Sequence, residues 1–299
     1  MVFSTQHSVG SCFTHKQVML IVSHIYHKYQ IIGVAFCVSA AMNILSIFSL
    51  ILLSLYTLSL RVESSEISAT SCNDDTKTNP TISRNIDSLL PKLVSGTIRH
   101  GFVAASHGQD GYKVYGVAQC RGDVNSSDCA SCIKDAAKEI KPACPSQSDA
   151  RIWYDYCFLR YSTGNFLGEV DTSGVYFYNV ENVTEPGVFN KRLGSLMDEI
   201  RSEAVRPRSR GLGRGRRDLS DFVKLYALVQ CMRDLSEMGC AQCLSIAVSN
   251  FPTFCGDKRG CRVLYSSCYV RYELYPFFFP LDSASSRFGE DDRVVAVRI

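Results

Sequence analysis

The sequence predicts an α+β protein made of two tandem, disulfide-framed domains, each with two helices on one side of a sheet. Three observations carry this. First, Tyr115, Gln119, Cys120, Asp123, Cys129, Cys132, Cys144, Arg151, Tyr154, Cys157, Arg160 and Tyr161 recur as Tyr226, Gln230, Cys231, Asp234, Cys240, Cys243, Cys255, Arg262, Tyr265, Cys268, Arg271 and Tyr272. The interval is constant: 226 − 115, 231 − 120 and 272 − 161 all equal 111. That period is too long for a solenoid and suits a duplicated domain. Second, of 14 cysteines all but Cys12 and Cys37 lie between Cys72 and Cys268, six in each half. Third, each half passes from helical to alternating hydrophobic spacing.

An even cysteine count, wide spacing and an apolar leader point to disulfides in an oxidising compartment. Zinc is the competing reading, because Cys129–Cys132 and Cys240–Cys243 are both CxxC. Zinc ribbons place a second CxxC or a His pair shortly downstream. Here the next cysteine stands alone and no histidine follows His107. No metal is expected. The net charge of +3 gives no argument for nucleic acid.

Residues 1–64 read as an extension plus a hydrophobic leader. The stretch from Ile31 to Leu60 holds 30 residues without a charge, preceded by Lys16 and Lys28 and no acid. Taken whole, it reads as a signal anchor with its basic flank inside. Read from Met42, it is a leader with apolar core Ile44–Leu60 and small or neutral residues suited to cleavage after it. Either reading sends everything beyond Arg61 to the extracytoplasmic side.

Domain one is expected over 68–172. Ile82, Ile86, Leu89, Leu90 and Leu93 predict a helix over about 82–95, bent or shortened by Pro91. Tyr112–Cys120 alternates as a strand. Ser126 or Ser127 caps a helix over roughly 128–140, and strands follow at Ala150–Tyr156 and Cys157–Tyr161. Domain two is expected over 178–280. Its first helix, carrying Phe189, Leu193, Leu196, Met197 and Ile200, comes 107 residues after its counterpart, so the register slips by four (111 − 107). Adding 107 or 111 to Cys72 gives Asn179 or Val183, and neither is cysteine. The run Arg206–Arg217 is read as a solvated, disordered loop; its composition also suits RNA or an anionic polysaccharide, and an extracytoplasmic setting excludes the RNA. Asn125 and Asn182 begin glycosylation sequons. Residues 281–299 form a tail with no membrane span.

The Cys-x8-Cys-x2-Cys pattern at 120/129/132 and 231/240/243 is the most specific feature. With Tyr-Gly-Val-Ala-Gln-Cys-Arg-Gly-Asp before it and Ile-Trp-Tyr-Asp-Tyr-Cys-Phe-Leu-Arg-Tyr after it, the chain resembles the plant stress-antifungal (ginkbilobin-like) domain over about 70–280. The tandem resembles cysteine-rich repeat secretory proteins and the ectodomains of cysteine-rich receptor-like kinases. The resemblance implies two helices on a roughly five-stranded antiparallel sheet. It also implies the disulfides Cys72–Cys144, Cys120–Cys129, Cys132–Cys157, Cys231–Cys240 and Cys243–Cys268. Cys255 then lacks its usual partner, and Cys261 is the cysteine left over to join it. Phe254 and Cys261 stand where the family commonly has cysteine and glycine.

The resemblance further implies a mannose site made of an Asn, an Arg and a Glu. Such a trio suits sugar hydroxyls, offering amide, guanidinium and carboxylate. Module one has Asn73 and Arg151 but Ser162 in the acidic place; module two has Arg262 and Glu273 but no Asn. Arg151 and Arg262 are read alternatively as braces of the sheet. No catalytic set or kinase motif is present, so neither an enzyme nor a cofactor is expected. The expected function is that of a secreted, apoplastic plant defence or stress protein that binds a cell-wall or fungal glycan. The alternative is a protein-interaction ectodomain, the remainder of a truncated receptor kinase, that pairs with another receptor ectodomain. A membrane enters only if the leader is an uncleaved anchor.

If the leader is removed, Edman or mass-spectrometric sequencing of the secreted protein should place its N-terminus between about Ser64 and Ser71. Peptides containing Cys12 or Cys37 in the mature protein would establish the anchored form instead.

Overall fold

The computed structural model describes residues 67–73, 77–280 and 296–297. The leader and most of the tail lie outside these residues. Module one runs β1 (Ile67–Cys72), α1 (Pro80–His100), β2 (Phe102–His107), β3 (Val114–Cys120), α2 (Ser126–Ala143), β4 (Asp149–Tyr154) and β5 (Cys157–Ser162). Module two runs β6 (Gly174–Tyr178), α3 (Pro186–Ala204), β7 (Leu212–Asp218), β8 (Lys224–Cys231), α4 (Glu237–Ser249), the short α5 (Phe251–Cys255), β9 (Cys261–Tyr265) and β10 (Cys268–Glu273). The sheets share one topology. Strand order is β1-β4-β5-β3-β2 in the first and β6-β9-β10-β8-β7 in the second, with every one of these pairings antiparallel. Ala296–Val297 adds a parallel bridge beside β2. Among the described residues no helix is long and apolar enough to cross a membrane.

In both modules the helices cover one face of the sheet. Ile86, Leu89, Leu93, Ile133, Ala136 and Ile140 meet Ala118, Ile152 and Leu159 in the first core. Leu196, Met197, Ile200 and Leu244 meet Ala227, Val229, Val263 and Val270 in the second. Each large apolar side chain removed from water in this way contributes about 1.5–3 kcal/mol.

Several element boundaries differ from the sequence expectation, each for a local reason. Helix α1 is longer than 82–95. Asn79 caps it, its side chain accepting from Thr81 N and Ile82 N, and Gly101 ends it at φ 72° with its N–H on Thr97 O. Pro91 does not interrupt it. Helix α2 is capped by Asn125, not by Ser126 or Ser127; the Asn125 side chain accepts from Asp128 N at 2.9 Å. β3 begins at Val114 because Asp110–Tyr112 forms a 3-10 turn, and β4 stops at Tyr154, before the bend at Asp155 and Tyr156.

The largest correction concerns Arg206–Arg217, which is not a disordered loop. A 3-10 turn at Pro207–Ser209 leads into β7, paired with β8 from Leu212↔Gln230 to Asp218↔Lys224. Glycine makes this possible. A Cβ on Gly213 would lie 1.9 Å from the Ile200 carbonyl, and one on Gly215 would press on Leu196 and Ile200. The four-residue slip also resolves. Thr97 to Phe102 is five positions while Ala204 to Leu212 is eight, an insertion of three. The β2–β3 pair closes over 17 residues (119 − 102) and the β7–β8 pair over 18 (230 − 212).

Three disulfides frame each module: Cys72–Cys144, Cys120–Cys129 and Cys132–Cys157, then Cys231–Cys240, Cys243–Cys268 and Cys255–Cys261. The place of Cys72 is taken by Tyr178, not by Asn179 or Val183. Cys72 pairs with Ala150 in its ladder, and Tyr178 pairs with Cys261, the residue 111 beyond Ala150. Edge strand β1 is thus stapled to the end of α2. Edge strand β6 is held instead by Tyr176 stacked on Phe254, centroids 4.1 Å apart at 7°.

Cys72–Cys144 spans 72 residues and Cys255–Cys261 spans six. In the chain-entropy account the longer closure stabilises by roughly 2 kcal/mol more. Urea denaturation of Cys72→Ala/Cys144→Ala and Cys255→Ala/Cys261→Ala should therefore show the first pair as the more destabilised. Equal losses would count against a loop-entropy origin.

Candidate functional site

The outer faces of the two sheets, opposite the helices, pack on each other. Phe102, Ala104, Val117, Trp153 and Phe158 of module one bury against Met232 and Leu264 of module two. Alternation along β3–β5 and β8–β10 therefore places Gln119, Arg151, Gln230 and Arg262 in this seam rather than on a free surface. Gln119 Nε2 donates to Cys231 O at 2.8 Å and its Oε1 accepts from Arg233 N at 2.9 Å. Gln230 returns both bonds, to Cys120 O at 3.2 Å and from Gly122 N at 2.9 Å.

The arginines follow the same reciprocity. Arg151 donates to Ser173 Oγ and to Ser266 Oγ, the latter at 2.8 Å, and pairs with Asp171 at 3.2 Å. Arg262 pairs with Asp155, whose counterpart 111 residues on is Ser266, and lies 5.0 Å from the Phe177 ring centroid. Both arginines brace one module against the other, which the reading of them as braces within a sheet does not anticipate.

The acidic members sit beside a second pair of arginines. Glu273 is buried, and Arg271 Nε donates to its Oε1 at 3.0 Å while Arg271 Nη2 reaches the Tyr275 hydroxyl at 3.0 Å. In module one the corresponding position is Ser162, and the carboxylate comes from across the ladder. Asp149, paired with Ser162, accepts from its hydroxyl at 3.2 Å and lies 3.6 Å from both Arg151 and Arg160. Module two has Gly260 where module one has Asp149, and a Cβ there would lie 1.9 Å from Glu273 Oε2. The acid has changed strands between the copies. Each second arginine also stacks on a phenylalanine, Arg160 over Phe166 at 4.0 Å and Arg271 over Phe277 at 4.4 Å.

Of the four residues singled out for a ligand, Arg262 and Glu273 share one outer face of module two. Asn73 is exposed at the end of β1, its N–H on Asp149 O at 3.2 Å. Asn182 is exposed and accepts from Lys258 Nζ at 2.8 Å, whereas Asn125 is engaged as the α2 cap. Arg160, Arg271, Asp149 and Asp171 were missed as members of the cluster. The exact recurrence of Arg160 and Arg271 was the available signal; the acids do not recur and gave none. Among the described residues no group of three or more His, Cys, Asp or Glu could hold a metal.

Burial pushes the Glu273 carboxyl above its ordinary pKa, and Arg271, Tyr275 and Arg262 offset only part of this. For Asp171 burial also acts upward, but hydrogen bonds from Ser173 and the charges of Arg151 and Arg160 outweigh it and hold the group below its usual value.

Two disulfide-framed α+β modules locked through their sheets by buried polar exchange define a tandem domain of the type that oxidising, extracytoplasmic compartments hold. The chain belongs to the salt stress response/antifungal family, whose profile matches residues 70–164 and 177–275. It is 56% identical to cysteine-rich repeat secretory protein 55 of Arabidopsis thaliana over 72% of this chain and 83% of that one. It is 42% identical to an antimicrobial ginkbilobin-2-like protein of Castanea crenata, over 64% and 80%. The crystal structure of the tandem DUF26 ectodomain of the Arabidopsis thaliana cysteine-rich receptor-like protein PDLP8 superposes with a TM-score of 0.63 at 30% identity, over 71% of this chain and all of that one.

Because the Asp171 pKa is depressed on folding, its contribution is present above the unfolded value of about 3.9 and is lost as pH falls through the folded value. Asp171→Asn should lower stability near neutral pH by about 1.5–3 kcal/mol, the range for a hydrogen bond to a charged group. The gap to the parent protein should narrow on acidification below about pH 4. Denaturation across that range checks it, and a gap independent of pH would remove Asp171 from the linkage.

Proposed function

We propose that the protein is a secreted plant stress and defence protein that acts by binding, without catalysis. Its module two takes a hexose of the mannose type at Arg262, Arg271, Glu273 and Tyr275. The observation that carries the ligand is the cluster at the end of β10. A carboxylate fixed by Arg271 stands beside a half-exposed tyrosine whose hydroxyl is already oriented. Sugar hydroxyls need this mixture of acceptor, donor and apolar face. Arg271 and Tyr275 supply what module two lacks for want of the Asn. In module one Asn73 and Arg151 form the corresponding half-site, and Arg151 is more fully committed to the seam. The secretory and antimicrobial relatives support the setting, and the apoplast with a glycan on Asn182 fits it.

A second reading is contact with a receptor ectodomain. It rests on edge strand β6, where Tyr176, Phe177 and Tyr178 are 44%, 40% and 51% exposed.

Mannose should raise the melting temperature of the folded protein in a concentration-dependent way, and Glu273→Gln should abolish that shift while leaving the unliganded protein folded. No shift at high mannose, or a full shift in Glu273→Gln, would overturn the hexose reading. Cross-linking through Tyr178 to a co-expressed receptor ectodomain would then support the second.

A further inference from the structure

The arginine run that forms β7 has no counterpart in module one and is not needed for the fold. The equivalent strand β2 reads Phe-Val-Ala-Ala-Ser-His and makes the same ladder. Residues 205–217 contain six arginines and no acid. Gly213 and Gly215 press against α3, so alternation sends Arg214 and Arg216 to the opposite face of the strand. Among the described residues β7 is also an edge, paired with β8 alone, so the far side of its backbone carries no ladder there.

Part of this charge is met internally. Arg206 pairs with Glu203 at 2.7 Å and Arg217 with Glu199 at 2.5 Å. Arg214 donates to Phe279 O and lies 5.5 Å from the Phe278 ring centroid. Arg208 and Arg216 are exposed and make no ion pair or hydrogen bond among the described residues. Where the turn meets α4, Arg206, Arg208, Arg210 and Arg233 line a groove of about 560 Å³. Its one acid is Glu237. Arg206 keeps its ion pair and Arg233 donates to His100 O at 2.8 Å, so the excess positive charge rests most on exposed Arg208 and Arg216. An approaching anion would lower it.

We propose that this groove and the β7 edge bind a linear polyanion, an acidic polysaccharide whose carboxylates lie along the arginines. Strand geometry sets Arg214 and Arg216 about 7 Å apart, so successive charges of an extended chain can be met in turn. Guanidinium presents paired N–H groups that match a carboxylate. Disulfide-framed domains belong to an oxidising compartment, which favours polysaccharide over nucleic acid as the polyanion. The groove involves neither Glu273 nor Arg271, although Arg216 and Glu273 flank Tyr226 on the same outer face, and the proposal does not depend on the hexose reading.

The test is binding of the disulfide-intact protein to polygalacturonate by biolayer interferometry at low salt, with dextran and single-stranded RNA as comparisons. Affinity for polygalacturonate should exceed that for dextran and fall as salt rises. Arg208→Ala/Arg216→Ala should weaken binding by about tenfold and flatten the salt dependence, since two of the charges that meet the polyanion are removed. Arg208→Lys/Arg216→Lys, which keeps the charge and loses the paired N–H groups, should bind between the parent and the alanine variant. Glu273→Gln should bind no more weakly than the parent, which separates a lost site from a lost fold and from the hexose site. Absence of binding at low salt, equal binding by the alanine variant, or RNA binding as tight as polygalacturonate would overturn the proposal.

Discussion

The reciprocal exchange of Gln119 and Gln230 across the seam is the constraint on which the architecture rests. Each glutamine, itself buried, satisfies one carbonyl and one N–H of the other module, four bonds in all, and the carbonyls belong to buried Cys120 and Cys231. Either of those carbonyls left unpaired would cost about 1–3 kcal/mol. Both partners of every bond are therefore fixed together, and so is the angle at which the sheets meet. Trp153 extends the lock, its Nε1 donating to Tyr265 O at 3.4 Å. The apolar contacts of Phe102, Phe158, Met232 and Leu264 supply area, while the amides supply register.

The chain leaving each module is held by the same symmetry. After module one, Gly168 N donates to Asp234 at 2.9 Å; after module two, Phe279 N donates to Asp123 at 2.8 Å, and 279 − 168 is again 111. Each arm thus crosses onto its neighbour. The copies then diverge in charge. Asp123 is neutralised by buried Arg121 at 2.6 Å, whereas the position equivalent to Arg121 is Met232. Without that arginine, burial raises the Asp234 pKa, and the Gly168 N–H offsets it only in part.

Much of the fold was legible because its determinants are covalent or periodic. Cysteines at a fixed interval, apolar residues at helical spacing and a repeated Gln-Cys each require one kind of environment. What escaped was decided by neighbours. The run at 206–217 has the composition of a loop, yet pairing with β8 and the close approach of Gly213 to α3 make it a strand. Tyr178 in place of Cys72 could not be found by adding a constant interval, because the offset there is 106 (178 − 72), and only the ladder opposite Cys261 reveals it. Asp149 was hidden for a similar reason: it stands on β4 and meets Arg160 of β5 only once those strands pair, whereas Glu273 lies two residues from Arg271 on β10 itself.

Locking the modules through their sheets has a consequence for recognition. Arg151 and Arg262 carry the family resemblance to a sugar site, and the seam takes their guanidiniums for Ser266 and Asp155. Groups held this way lose freedom to reorganise around a ligand, while the geometry they keep is well defined. The surfaces left outside the seam are the rim at Glu273 and Tyr275, where the tie is to Arg271 within one module, and the edge strands β6 and β7, which module two has filled with aromatics and arginines. The proposed recognition is placed there for that reason. Module one closes its corresponding edges with a disulfide at β1 and a small-residue strand at β2. The duplication has thus left one copy as the better-stapled support and made the other the more varied surface.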